Sequence, residues 1–339
     1  MKPIRVGLIR CDMHGMYYGA LMAKHDPLLL REPPLPPSGT TRHSWQTGGA
    51  HFYFYTHYAN PRRICVPTAA GFRLVKLWDE NPEVAESAAA VFYGKPTVCD
   101  TFQDVSDDVD MVFIADCNGD GSDHLKLATP GLKKRVPTFV DKPFAFEAKE
   151  AVAIVRLAKK HKTPVLSMSI LRSLPHFERF RKRFDEVGGS HFGTVKGGGT
   201  TMAGHIHAVS VAQLLFGNGV ESVACMGENP LAHMHLNYGG RKGRPECGVV
   251  LNCDSGPTPH CAFFASVYGP DGAIHTPPIG DFQFPWGATR NLNLAKKMVR
   301  TGKCPVAYDD IIENVAVATA ARRAQKLGRA VKLREVWRR

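Results

Sequence analysis

VGLIRCDMHGMYYGAL, residues 6–21, is the stretch whose reading decides the fold. An apolar run from Val6 to Ile9 leads into a turn and then a helix-like segment. A doubly wound parallel sheet keeps its G-x-G-x-x-G turn, which cradles a dinucleotide, at such a place. The glycine positions fall at 10, 12 and 15, and the sequence supplies Arg10, Asp12 and Gly15. The first glycine makes the tight turn, the second admits the diphosphate, and the third lets helix pack on strand. Only the third survives. Side chains at 10 and 12 crowd the approach, and Asp12 repels a diphosphate. Arg10 can offset this by holding phosphate with its own guanidinium, and the helix N-terminus still presents its amides.

Working outward, strand-like and helix-like segments alternate. Ile4–Ile9 reads as a strand and Met16–His25 as a helix. Residues 31–70, rich in proline and glycine early and in aromatics later, read as an insertion that is part loop and part ordered by HFYFYTHY. Phe72–Trp78 returns as a strand. The next helix has Asn81 as N-cap, Pro82 at its first position and Gly94 past its end. MVFIAD (111–116), PTFV (137–140) and PVLSM (164–168) read as strands, with a helix over Glu147–His161. This alternation predicts a doubly wound parallel sheet.

The second half reads differently. One helix carries Phe177, Phe180, Phe184 and Val187. Strands then follow at Gly193–Gly199, Val220–Met226, Gly248–Cys253 and Cys261–Tyr268, with a helix near 207–216 and helices at about 291–300 and 309–327. Successive strands without intervening helices predict a mostly antiparallel sheet. The fold class is therefore α/β: an N-terminal Rossmann-like doubly wound parallel sheet plus a C-terminal α/β domain with a mostly antiparallel sheet. The expected domains are residues 1–170 and 171–339.

Composition sets the bounds. The 339 residues are 44% hydrophobic and 22% charged, ordinary for a soluble globular protein. No apolar run approaches a membrane span. MKPIRVGLI enters a strand directly, so no export signal and a cytoplasmic location are expected. The nine cysteines form no C-x-x-C pair and read as free thiols in a reducing compartment. The net charge of +12 gathers partly in FERFRKRF (177–184) and RRAQKLGRAVKLREVWRR (322–339). No nucleic-acid motif accompanies it, so no nucleic-acid partner is expected.

Several residues carry candidate chemistry. Asp79 ends the second strand, where an acid holds the adenosine ribose hydroxyls of NAD. The spacing becomes ordinary once residues 31–70 are set aside, and Glu80 beside it disfavours a 2′-phosphate. A plain helix-capping acid is the other reading. Lys142, in FVDKPF, ends a buried strand at the edge where such sheets bind ligands. It can orient a substrate hydroxyl or relay a proton. The pairs GHIHA (204–208) and AHMHL (232–236) suit a metal only if they lie on strands and converge. No metal is expected, because His207 reads as the start of a helix.

DKP, then EAVAIVRLAKKHKTPVLSMSILR (150–172), GHIHAVSVAQLLFG (204–217) and DDIIENVAVATAARRAQKLGRAVKL (309–333) occur in an order that resembles the glucose–fructose oxidoreductase / inositol dehydrogenase / MocA family (Gfo/Idh/MocA). WDENPEVAESAA resembles that family's second strand and helix. The resemblance spans nearly the whole chain apart from residues 31–70. It implies an NAD-dependent oxidoreductase acting on a small-molecule sugar, polyol or related carbohydrate, and a homo-oligomer, dimer or tetramer. It puts the catalytic pair at Lys142 and His207. Cofactor contacts are expected at Arg10, Gly15, Asp79, Asp141 and, in CNGDGSDH (117–124), which matches a contact loop of the family, at Asn118 and His124. The family often has acids four residues before and three after its histidine, where this chain has Ala203 and Ser210. The altered turn leaves two other readings open. One is a cofactor-free descendant that binds a carbohydrate or a partner. The other is a redox-assisted lyase or glycosidase.

Overall fold

The computed structural model describes residues 2–34, 42–198, 201–228, 230–253 and 262–338. In the first half the strands are β1 (Ile4–Ile9), β2 (Phe72–Trp78), β3 (Thr97–Val98), β4 (Met111–Ile114), β5 (Thr138–Val140) and β6 (Val165–Leu166). They form one parallel sheet in the order β3-β2-β1-β4-β5-β6. The order reverses between β1 and β4, and that crevice is where such a sheet takes its ligand. β4 and β5 are buried at every position, as their unbroken apolar runs require when helices cover both faces.

The helices of this half are α1 (Met13–Met22), α2 (Pro27–Arg31), α3 (Ser44–Thr47), α4 (Ala50–Phe54), α5 (Pro82–Val91), α6 (His124–Lys133) and α7 (Ala148–Lys160). α1 begins at Met13, not at the expected Met16, because Asp12 caps it. Gly15 keeps the role of the third glycine. A Cβ there would stand 2.2 Å from the Arg10 carbonyl oxygen, so only glycine lets α1 lie this close to the end of β1.

The inserted segment belongs to the core. Trp45 and Phe54 are fully buried, and Phe54 packs on Tyr17 of α1 with ring centroids 4.6 Å apart. Thr289 donates to the Pro67 carbonyl at 2.6 Å, tying the end of the insertion to the second half.

The second half starts with α8 (Pro175–Arg181). The expected single helix through Val187 is two pieces: a short 3-10 turn, Phe184–Val187, follows α8 separately. Next come β7 (Phe192–Lys196), α9 (Met202–Phe216), β8 (Ser222–Met226), β9 (His233–Asn237), β10 (Val249–Asn252), β11 (Phe264–Gly269) and β12 (Gly272–His275). α10 (Phe284–Thr301), α11 (Tyr308–Leu327) and β13 (Val331–Lys332) close the chain. The expected strand start at Cys261 lies outside the described residues.

The strand order of this sheet is β12-β11-β7-β10-β9-β8-β13. All its pairings are antiparallel except β10 with β7. α9 and α11 cover one face. α10 is longer than expected because Pro285 sits in its first turn, and it packs against α1. Asn291 of α10 donates to the Met168 carbonyl at 2.9 Å and to the Tyr18 hydroxyl at 3.3 Å, joining the two halves. Among the described residues no helix is long and apolar enough to cross a membrane.

Candidate functional site

The turn after β1 shows what replaced the glycines. Arg10 has φ +70°, so it keeps the left-handed backbone a glycine would hold without strain. Its guanidinium lies among Glu80 at 2.9 Å, Asp116 at 3.7 Å and Asp123. Burial works against its charge, but the Asp123 hydrogen bond and the neighbouring carboxylates outweigh it and hold the group protonated. Arg10 is thus occupied by the protein's own acids.

Asp12 does not pair with Arg10. One carboxylate oxygen accepts the Gly15 amide at 2.8 Å and caps α1. The other accepts the Cys117 amide at 2.6 Å, from the loop after β4. A single side chain therefore links the two sides of the crevice. Asp79 stands where expected, at the end of β2, accepting from the amides of Cys11 at 2.8 Å and Asn81 at 3.0 Å. Burial pushes its carboxyl up despite those two hydrogen bonds.

Two cavities open beside this turn. The outer one, about 400 Å³, is lined by Arg10, Asp12, Arg42, Asp79, Glu80 and Asp116 among others. The inner one, about 470 Å³, is lined by His14, Tyr17, Asn118, Lys142, Ala203 and His207 among others. Ser44 and His43 of the insertion line the outer cavity, and Ser44, Thr47, Gly48 and Tyr53 line the inner one. The insertion thus walls both.

The inner cavity brings the expected catalytic pair together. Lys142 is 5% exposed and donates to the Cys117 carbonyl at 2.8 Å. His207, on α9, sets its Nδ1 2.6 Å from the Ser169 hydroxyl. Burial pushes this imidazole well below the ordinary histidine value, and the cations Lys142 and His14 add to the effect, so the ring is neutral at pH 7. Ser169 Oγ also accepts the Leu171 amide at 3.2 Å. An Nδ1–H on His207 can donate to the same oxygen, and that tautomer leaves Nε2 as the basic nitrogen.

Ser169 is an orienting group that no sequence motif marks. Ser210 is spent elsewhere: its hydroxyl donates to the Ile206 carbonyl at 2.9 Å and accepts from Asn314 at 3.1 Å. His14 is a second residue that the sequence reading misses. Its Nδ1 lies 2.5 Å from Asp141 Oδ2. Burial opposes a charge on this ring, but Cys117 and the Asp141 carboxylate push it up to about 10. A histidine in the first turn of a helix at the switch point was the available signal.

Not every expected contact faces a cavity. Asp141 is 1% exposed and sits behind the wall, bonded by His14, by the Lys142 amide at 2.8 Å and by the Asp116 amide at 3.3 Å. His124 is fully buried, 3.1 Å from Asp116. The H-x-H pairs do not make a site. His205 and His207 lie on α9, where alternate residues diverge, and His205 accepts the Leu231 amide at 3.3 Å. His235 bonds the Cys247 carbonyl at 3.0 Å. Among the described residues the one cluster dense enough for a metal is Asp116, Asp123 and His124, and the Arg10 guanidinium already lies against both carboxylates. The eight described cysteines are all free thiols.

Residues 50–168 match the sequence profile of the GFO_IDH_MocA family, an oxidoreductase family with an NAD-binding Rossmann fold. This stretch, 119 of the 339 residues, is similar to that family. Solved structures extend the likeness of fold to the whole chain. A myo-inositol 2-dehydrogenase from Lactobacillus plantarum superposes with TM-score 0.70 at 14% identity, covering 98% of this chain and 99% of its own. A myo-inositol dehydrogenase from Corynebacterium glutamicum gives 0.67 at 14%, covering 98% and 99%. An oxidoreductase from Agrobacterium radiobacter, in complex with NAD+, L-tartaric acid and magnesium, gives 0.68 at 13%, covering 99% and 100%. No curated protein matches the sequence. The family match begins after the turn that holds Arg10, Asp12 and His14, and it ends before His207.

The family binds NAD, and the residues of this turn can be tested against that. The Gly15 and Cys117 amides already hold the Asp12 carboxylate. Met13 packs under Gly48 of the insertion, where even a Cβ would come within 2.9 Å of it. Two unit charges about 4 Å apart near a protein surface repel by about 4 kcal/mol, so a phosphate beside Asp12 is strongly opposed. As folded, the turn does not fit the diphosphate of a dinucleotide, and each Asp79 oxygen already accepts a backbone amide.

Proposed function

We propose that the inner cavity binds a small polyhydroxylated molecule of the sugar or polyol class and that the chain acts on one of its hydroxyl groups. The observation that supports this is the convergence of Lys142 and His207 on one cavity at the ligand edge of the parallel sheet. Neutral His207, held by Ser169, takes the hydroxyl proton at Nε2. The Lys142 ammonium orients that hydroxyl and stabilises the alkoxide as it forms. His14, kept charged against Asp141, adds a second positive group to the same wall.

This is the proton half of the reaction by which the family's oxidoreductases oxidise alcohols. NAD, where bound, supplies hydride acceptance. Asp12 lies across the diphosphate path, so the residues of this cavity account for the proton transfer alone. The contacts of Asp12 favour a second reading, in which the cavity binds its carbohydrate without redox chemistry. A homo-oligomer formed through the uncovered face of the second sheet is part of the first reading.

The test is calorimetry with a panel of sugars and polyols, with and without NAD, followed by turnover assays on the ligands that bind. One-to-one binding by at least one of them is expected. Lys142→Met weakens that binding by roughly tenfold, and His207→Asn spares binding while removing turnover. Binding by none of the panel, or binding indifferent to Lys142→Met, overturns the proposal.

A further inference from the structure

The inner cavity has an unbalanced charge. Among the described residues lining it, the ionisable cationic side chains are Lys142 and His14, and no aspartate or glutamate lines it. Ala203 presents a methyl group there. The nearby carboxylates are committed: Asp141 to His14 and two backbone amides, and Asp12 to the amides of Gly15 and Cys117. Asp141 can neutralise only one of the two cations behind which it sits. Burial opposes a charge on His14, but Cys117 and Asp141 push its value up to about 10, so the ring stays charged through the neutral range.

A second observation points to a ligand. Tyr17 is 5% exposed and lines the same cavity, yet its buried hydroxyl has no hydrogen-bond partner. An unpartnered buried hydroxyl costs about 1–3 kcal/mol, and an acceptor brought by a ligand would remove that cost.

We propose that the cavity selects a polyhydroxylated carboxylate of the aldonate type, with its carboxylate against His14 and Lys142. The hydroxyl next to the carboxylate then lies between Lys142 and His207, and Tyr17 donates to a further oxygen. A carboxylate supplies the negative charge that the lining lacks, and bonds to charged groups are the strong ones. The overall charge of +12 also draws anions towards the molecule. This inference rests on the proposed hydroxyl chemistry and narrows its substrate class.

Calorimetry on the full chain tests it with matched pairs: D-gluconate, D-galactonate and D-mannonate against sorbitol, galactitol and mannitol. The expected result is that at least one aldonate binds tenfold or more tightly than its alditol, with the preference falling as salt is raised. His14→Gln abolishes the preference. Tyr17→Phe, which keeps the ring packing and removes the unpartnered hydroxyl, weakens aldonate binding several-fold without lowering the melting temperature of the ligand-free protein. Alditols binding as tightly as aldonates overturn the charge inference and leave the hydroxyl chemistry standing. Binding by neither class overturns both.

Discussion

Asp12 accepts the backbone amide of Cys117 at 2.6 Å, across the crevice between β1 and β4. With its second oxygen on the Gly15 amide, one carboxylate fills the place where relatives of this fold receive phosphate. The turn keeps the backbone course of a glycine-rich loop, with Arg10 at φ +70° and Gly15 in close contact, while its side chains do the opposite of what glycines do.

The Arg10 cage is structural. Removing the guanidinium leaves Glu80, Asp116 and Asp123 facing one another around a gap. Arg10→Ala is expected to lower stability by about 1–2 kcal/mol, since Asp116 is buried but Glu80 and Asp123 are partly screened by water. Arg10→Gly loses less, because glycine relaxes the left-handed backbone by about 1 kcal/mol. Chemical denaturation of both variants checks the order, and an Arg10→Gly variant as weak as Arg10→Ala contradicts it.

The insertion is part of the core. Trp45 is fully buried, stacked on His43 with ring centroids 4.2 Å apart. Trp45→Ala is expected to cost about 3–5 kcal/mol, as other buried tryptophans do. A loss below about 1 kcal/mol in denaturant melts would mean that the segment is an appendage.

Ser169 positions His207. Ser169→Ala is expected to slow turnover by roughly tenfold, on the order of 1.4 kcal/mol, with KM unchanged. A hydrogen bond from Nδ1–H favours the charged ring, so its loss moves the acid limb of the rate profile to lower pH. Ser169→Thr restores both. An unchanged pH profile in the alanine variant would assign Ser169 to packing alone.

The His14–Asp141 pair sets an alkaline limit on stability. The His14 value is raised from 6.5 to about 10, so its contribution is complete below 6.5 and is lost as pH rises through about 10. The Asp141 carboxyl is lowered from 3.8, by His14 first among its favourable contacts and against burial, so its contribution is lost only as pH falls through that lower value. Melting temperatures of wild type and Asp141→Asn from about pH 6 to pH 11 make the comparison. The wild type should fall more steeply between about pH 6.5 and pH 10 and level off above that, and parallel curves would contradict the pair's role.

The two sheets are legible in the sequence because their signals are local. β1, β4 and β5 are apolar runs bounded by turns, and α7 falls within a residue of its expected ends at each side. Lys142 and His207 are legible through their motifs, and the structure places both on one cavity. The turn is half legible. Its missing glycines are plain, but Asp12 reads as a repelling charge, and the same carboxylate serves as the N-cap that starts α1 at Met13. Ser169 is not legible, because it reaches His207 from 38 positions away through the packing of α9 on the first half. His14 is hidden among the glycine positions around it, and its partner Asp141 lies 127 positions on.

The most direct measurement is a titration of NADH into the wild type and Asp12→Gly, followed by nicotinamide fluorescence. Glycine at position 12 frees the Gly15 and Cys117 amides and removes the opposing charge. The expected result is saturable micromolar binding by Asp12→Gly and binding roughly a hundredfold or more weaker by the wild type, whose turnover then needs cofactor far above the micromolar range. Saturable micromolar binding by the wild type would show that Asp12 yields to the diphosphate, and would contradict the blocking role assigned to this turn.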